Sequence, residues 1–185
     1  MQIAFTRLPK EPKYVAFTQH MGDVNDLDIP AGQMVRNDGY FRLPRPALIS
    51  AFQPHMHMRG KAQCMEAIYP DIRADSARPG PARTEMLSCV SNFNFDWSVT
   101  YPYADDVAPL LPAYTTIHII SWYDNTTANR YNPDPRNMVG FGNRSVDEMA
   151  FSWMNTYQMT DEEFAAEVAA RVKMHPSNTS NQQQQ

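Results

Sequence analysis

Thr115-Thr116-Ile117-His118-Ile119-Ile120-Ser121-Trp122-Tyr123 is dense in β-branched and aromatic residues and contains no glycine or proline. Such side chains lose rotamer freedom in a helix and pack well on a pleated surface, so the stretch reads as a strand. Shorter segments of the same kind follow it. Val139-Gly140-Phe141-Gly142 and Phe151-Ser152-Trp153-Met154 read as strands, and Asn132-Pro133-Asp134-Pro135 between them as a loop. Proline fixes its own φ and biases the residue before it away from helix. Fifteen prolines against seven glycines, scattered along the chain, argue against long helices before residue 159. The expected class is all-β, an antiparallel jelly-roll-like β-sandwich.

One helix is signalled, at the C-terminal end. Thr160-Asp161-Glu162-Glu163 is a capping box with acidic residues in the first turn, and Arg171 and Lys173 suit the last turn. Phe164, Val168 and Val172 recur every four residues as one apolar stripe. The helix is predicted over residues 160–174, stopped before Pro176, with 175–185 a flexible polar tail. Residues 1–28 read as an N-terminal arm, suited to lying on another subunit.

Composition narrows the function. The 185 residues, 43% of them hydrophobic, suit one domain with a normal core. Sixteen basic against 20 acidic residues give a net charge of −4, and no basic patch is present to neutralise phosphates. Nucleic acid is excluded as a partner on that ground. No apolar run is long enough to cross a bilayer, so no transmembrane segment is expected. Met1 to Lys10 lacks the apolar stretch of a signal peptide, which fits either a cytosolic chain or a mature or partial polypeptide.

The chain has two cysteines, Cys64 and Cys89. If residues 61–69 and 84–92 form a hairpin around the turn-rich segment 71–81, a symmetric register that sets Tyr69 opposite Thr84 also sets Cys64 opposite Cys89. Cross-strand neighbours lie near disulfide distance, and a disulfide suits an oxidising compartment. Two reduced cysteines packed as small apolar residues remain the alternative.

The stretch with the most chemistry is Pro54-His55-Met56-His57-Met58-Arg59-Gly60-Lys61. On an extended strand, His55 and His57 share a face while Met56 and Met58 take the other. Two imidazoles on one face can grip a metal ion if a further ligand arrives from elsewhere. His118, flanked by apolar neighbours in its strand, reads instead as a hydrogen-bonded structural histidine. Asp124 and Asn125 begin a turn and suit bonding to its backbone amides.

Five motifs occur in order: Pro54 to Lys61; Asn92-Phe93-Asn94-Phe95-Asp96-Trp97; Leu111-Pro112-Ala113; Tyr123-Asp124-Asn125-Thr126 with Asn132 to Pro135; and Asp147-Glu148-Met149. Over residues 29–159 the chain resembles the C-terminal domain of the copper type II, ascorbate-dependent monooxygenases. That family includes peptidylglycine alpha-hydroxylating monooxygenase and dopamine beta-monooxygenase. The resemblance implies a β-sandwich domain, an extracytoplasmic and periplasmic setting, and one copper ion cycling between Cu(I) and Cu(II). It implies His55, His57 and Met149 as the ligands; Asp147 and Glu148, which face opposite ways on a strand and so do not suit an acid/base pair, read as positioning Met149 through hydrogen bonds. Imidazole suits copper in both oxidation states and a thioether favours Cu(I).

Departures from the family are equally informative. Its complete enzymes carry a second domain whose three-histidine copper supplies an electron; here only His20, His118 and His175 remain, without clustering. Gln53, Phe151 and Trp153 stand where the peptide-amidating enzyme has Arg, Asn and Tyr, so a peptide carboxylate finds no cation there. Two functions are expected in consequence. One is a copper domain that activates dioxygen toward a small organic substrate but is not self-sufficient. The other is a non-catalytic extracytoplasmic accessory or structural subunit, using the sandwich as a binding module for another protein chain.

Overall fold

The computed structural model describes residues 16–22, 26–70 and 83–174. Two antiparallel sheets face one another. In the first, β9 (Thr116–Asp124) lies between β3 (Met34–Arg42) and β5 (Gly60–Ile68), and β5 pairs onward with β6 (Thr84–Val90). In the second, β11 (Phe151–Gln158) runs between β1 (Phe17–Met21) and β4 (Ala47–His55), while the short β7 (Tyr101–Pro102) and β8 (Leu110–Leu111) pair with the other side of β4. A small ribbon joins β2 (Asp28–Ile29) to β10 (Val139–Gly140). The architecture is an antiparallel, jelly-roll-like β-sandwich with a C-terminal helix.

The core follows from alternation. Ile117 and Ile119 of β9, Met65 and Ala67 of β5, Ile49 and Phe52 of β4, and Met154 of β11 are buried together between the sheets. Each large side chain among them contributes about 1.5–3 kcal/mol by leaving water. A second apolar cluster of Leu27, Ile29, Met56, Tyr123 and Ala150 fills one end of the sandwich, directly beneath the histidine segment.

Cys64 faces Cys89 across the β5–β6 pair and the two form a disulfide. The hairpin is not symmetric throughout. A bulge between Met65 and Glu66 sets Ile68, not Tyr69, opposite Thr84. A bulged residue adds local twist and shifts the register by one. The turn-rich segment 71–81 lies outside the described residues, as does the tail 175–185 with His175.

Residues 17–21 of the expected arm are not detached: they form β1 and pair with β11 of the same chain. The helix α1 spans Asp161–Met174. Its capping box is formed, with the Thr160 amide donating to Glu163 Oε2 (2.9 Å) and the Glu163 amide donating to Thr160 Oγ1 (3.2 Å). The expected apolar stripe does not bury: no residue of α1 is buried, and Val168 and Val172 face solvent. The helix is held to the sandwich by Arg171, whose guanidinium donates to the carbonyls of Ala108 (2.6 Å) and Asp105 (3.0 Å).

Candidate metal centre

β4 ends at His55, and His57 lies in the turn that leads into β5, with the Gly60 amide donating to the His57 carbonyl (3.1 Å). The expectation of both histidines on one strand face is therefore corrected: a strand places one and a turn places the other. Their rings still adjoin, with centroids 5.7 Å apart and planes at 78°. Met149, brought in by the turn before β11, sets its sulfur 3.2 Å from His55 Nε2.

Each donor is aimed by a partner. His57 Nδ1 lies 3.1 Å from the Asp147 carbonyl oxygen. A carbonyl only accepts, so this nitrogen carries the proton and, in the neutral ring, Nε2 keeps its lone pair. Burial first, and then the neighbouring His57, lowers the His55 pKa, which favours its neutral imidazole. The His55 amide donates to Gln63 Oε1 (3.2 Å), which also accepts from Ser152 Oγ (2.6 Å), while Gln63 Nε2 donates to Ser121 Oγ (2.8 Å). This buried network ties the end of β4 to both sheets.

The Met149 turn is fastened differently. Glu148 is fully buried. Its carboxylate accepts from the amides of His57 (2.7 Å) and Arg59 (2.6 Å), stitching the histidine turn to the methionine turn across 91 and 89 residues of sequence. Tyr123, also fully buried, donates its hydroxyl to the Met149 carbonyl (2.6 Å). Burial pushes the Glu148 carboxyl up to about 7, against the pull of those amides and of the nearby Arg59 guanidinium. Glu148 also interacts with the Met149 amide, as expected, so its carboxylate serves both turns. The Asp147 carboxylate instead turns outward to Arg144 (2.7 Å), which lowers its pKa, and its carbonyl alone reaches the site.

The sequence did not disclose the buried roles of Arg59 and Asn125. Arg59 is 2% exposed, its Nε donating to Asn125 Oδ1 (2.9 Å) and its Nη1 to the Val146 carbonyl (2.9 Å). Asn125 is no simple turn residue: it is fully buried and its amide donates to the carbonyls of Ile29, Pro30 and Asn137. Asp124 does cap the turn, accepting from the Thr126 amide (2.9 Å). On the other sheet, the two ring nitrogens of His118 lie 3.0 Å from Glu66 Oε2 and 2.7 Å from Asp38 Oδ1, which ties that imidazole to two carboxylates as a structural histidine.

Aromatic rings wall the centre. Phe151 stacks on His55 (4.7 Å, 28°), Trp153 meets Phe151 edge-on (5.2 Å), and Phe95 meets His57 edge-on (5.7 Å). His20, on β1, contacts Phe151 and Trp153 but neither candidate ligand ring. Gln53 is engaged by Ser98 (3.2 Å) and Thr100 (3.0 Å).

The donor set fits a soft, low-coordinate ion. Metal bonds of about 2.0 Å to imidazole nitrogen and about 2.3 Å to sulfur leave two such donors roughly 3 to 3.6 Å apart, and His55 and Met149 stand at 3.2 Å. Among the described residues no three His, Cys, Asp or Glu side chains converge as a metal group.

No protein-family model matches this chain, and no curated protein is significantly similar to it. Among solved structures, a chain described as "Structure of infectious bursal disease virus Gx strain" is similar at a TM-score of 0.33 and 9% identity. The alignment covers 86% of this chain and 42% of that one. At that level the likeness carries no argument about function. No helix among the described residues is long and apolar enough to cross a membrane.

Proposed function

We propose that this chain is a copper-binding domain of the ascorbate-dependent monooxygenase type, with His55, His57 and Met149 as ligands to one ion. The observation that carries the reading is the meeting of the His55 Nε2 and Met149 Sδ atoms at 3.2 Å, 94 residues apart in sequence, beside a second imidazole whose Nε2 has no hydrogen-bond partner among the described residues. Copper, when bound, supplies one-electron chemistry toward dioxygen. The chain's own residues do the rest. Asp147 fixes the His57 tautomer, Gln63 and Glu148 hold the two histidine backbones, and Phe151 and Phe95 limit water on either side. His20 and His118 are the other histidines among the described residues, and they lie apart from each other. A hydroxylation needing two external electrons therefore draws on a donor outside the described residues, in another chain or a further domain, and the substrate is a small organic molecule taken with dioxygen. The Cys64–Cys89 disulfide supports an extracytoplasmic, periplasmic setting.

The test is anaerobic titration with Cu(I) against a competing chelator, followed by X-ray absorption of the loaded protein. One Cu(I) per chain with a sulfur scatterer is expected, lost in His57→Ala. In Met149→His, Cu(II) is favoured over Cu(I). Absence of Cu(I) uptake, or uptake unchanged in His57→Ala, overturns the assignment. Oxygen consumption with ascorbate, copper and a panel of small organic substrates then separates the roles. Little coupled turnover by the isolated chain is expected, and robust substrate-dependent hydroxylation refutes the need for a partner. An accessory subunit remains the second reading, favoured by that lack of a three-histidine cluster among the described residues.

A further inference from the structure

A cavity of about 220 Å³ opens between the start of β5 and the loops around residues 92–96 and 130–131. We propose that it binds a small aromatic carboxylate. The cavity is built before any occupant arrives. The Phe93 amide donates to the Lys61 carbonyl (2.8 Å), and Asn94 closes the loop by accepting from the amides of Asp96 (3.0 Å) and Trp97 (2.9 Å). Gly60 lets this wall pack closely, since a β-carbon there would stand 2.6 Å from Met56 Cβ and 3.1 Å from the Phe93 ring.

Its lining has two chemistries. Phe93, Phe95 and Tyr131 supply aromatic surface. The volume suits a single ring, because an apolar cavity of about 150 Å³ already admits benzene. Lys61 and Arg130 supply positive charge against the single carboxylate of Asp96. Among the described residues the Lys61 ammonium forms no ion pair. Arg130 lies over the Tyr131 ring at 4.6 Å and donates to its hydroxyl (2.5 Å), which holds the guanidinium beside the opening. A planar anion with a ring satisfies both, the ring against the phenylalanines and the carboxylate against Lys61 and the Arg130 fork.

Phe95 borders both this cavity and His57, at 5.7 Å from the imidazole, so an occupant rests one ring away from the candidate ligand. The inference names a substrate class for the proposed copper site, but the binding itself needs no metal. Its failure is therefore distinct from a failure of copper uptake. The experiment titrates the metal-free, full-length protein with phenylacetate, benzyl alcohol and acetate by calorimetry, and maps amide shifts by NMR. Phenylacetate is expected to bind at least about tenfold more tightly than either comparator, with shifts at residues 60–61, 93–96 and 130–131. Lys61→Gln should remove that preference over benzyl alcohol, and Lys61→Arg should restore it. Equal binding of phenylacetate and benzyl alcohol, or of phenylacetate and acetate, overturns the proposal. So does phenylacetate binding that Lys61→Gln leaves unchanged, or no phenylacetate binding at all.

Discussion

Replacing Arg59 by methionine removes a buried cation while keeping an unbranched apolar stem and the backbone amide that Glu148 accepts from. Three things follow from the structure. The Val146 carbonyl loses its donor, Asn125 Oδ1 keeps only the bond from Asn132 (2.9 Å), and the buried Glu148 carboxylate loses its compensating charge. Removing one member of a buried pair costs about 3–5 kcal/mol. Arg59 and Glu148 do not form a direct ion pair, so about 3 kcal/mol is the expected loss. The pH dependence gives the cost a signature. Burial holds the Glu148 pKa at about 7, above its ordinary 4.5, so the folded chain keeps this proton more tightly than the unfolded chain. Its contribution to stability is greatest below pH 4.5 and falls as pH rises through 7, by about 3 kcal/mol at 1.36 kcal/mol per unit. Without Arg59 the carboxyl rises further, and Arg59→Met should cost more at pH 8 than at pH 5. Glu148→Gln should flatten that difference. The assay is urea unfolding of the metal-free protein, in chelator, for the wild type, both single variants and the double variant. A loss under about 1 kcal/mol, an equal loss at both pH values, or additivity within about 0.5 kcal/mol refutes the coupling.

Further outcomes follow from other contacts. In Gly142→Ala the new β-carbon would lie 2.7 Å from Asp147 Cβ, so the turn carrying Met149 must move; a loss of about 1–3 kcal/mol and weaker Cu(I) binding are expected, measured by thermal unfolding and chelator competition. Replacing Cys64 and Cys89 together by alanine frees a loop of sequence separation 25. Chain entropy then predicts a loss of about 3.5 kcal/mol, read by urea unfolding and matched by reductant on the wild type. His118→Ala leaves Asp38 and Glu66 facing a void in place of the ring they both contact. It should cost about 1–3 kcal/mol by the same method without altering Cu(I) uptake.

What the sequence disclosed was local. The β9 strand, the capping box at Thr160 and the cross-strand position of Cys64 and Cys89 are written in residues near one another, and the structure reproduces them. The bulge that moved Thr84 opposite Ile68 lies beyond such patterns, because one extra residue in a strand leaves its alternation looking intact elsewhere. Arg59 reads as a surface side chain because arginine is seldom fully buried; its role depends on Asn125 and Val146, which only the fold brings near. Gln63 was invisible for the same reason. For the centre itself, the spacing of His55 and His57 suggested a strand pair, yet the strand stops at His55 and the turn closed by Gly60 places the second ring. Glu148 was singled out by its place next to Met149, but its further hydrogen bonds, to the His57 and Arg59 amides of the other turn, depend on the fold.

The Glu148 stitch also dictates when the centre can come into being. Its partners lie 89 and 91 residues upstream, and β1, at the sheet edge, waits for residues about 137 positions later. Pairings so distant in sequence make for slow folding, since loop closure must precede any reward. During synthesis, the segment bearing both histidines emerges long before its methionine and its glutamate exist. A nascent chain of this protein therefore carries an unassembled His-x-His, open to any passing divalent ion, until the last strand of the sandwich is in place. The selectivity proposed for this centre would belong to the finished molecule alone, because the thioether and both imidazoles meet only once the closing strand has paired.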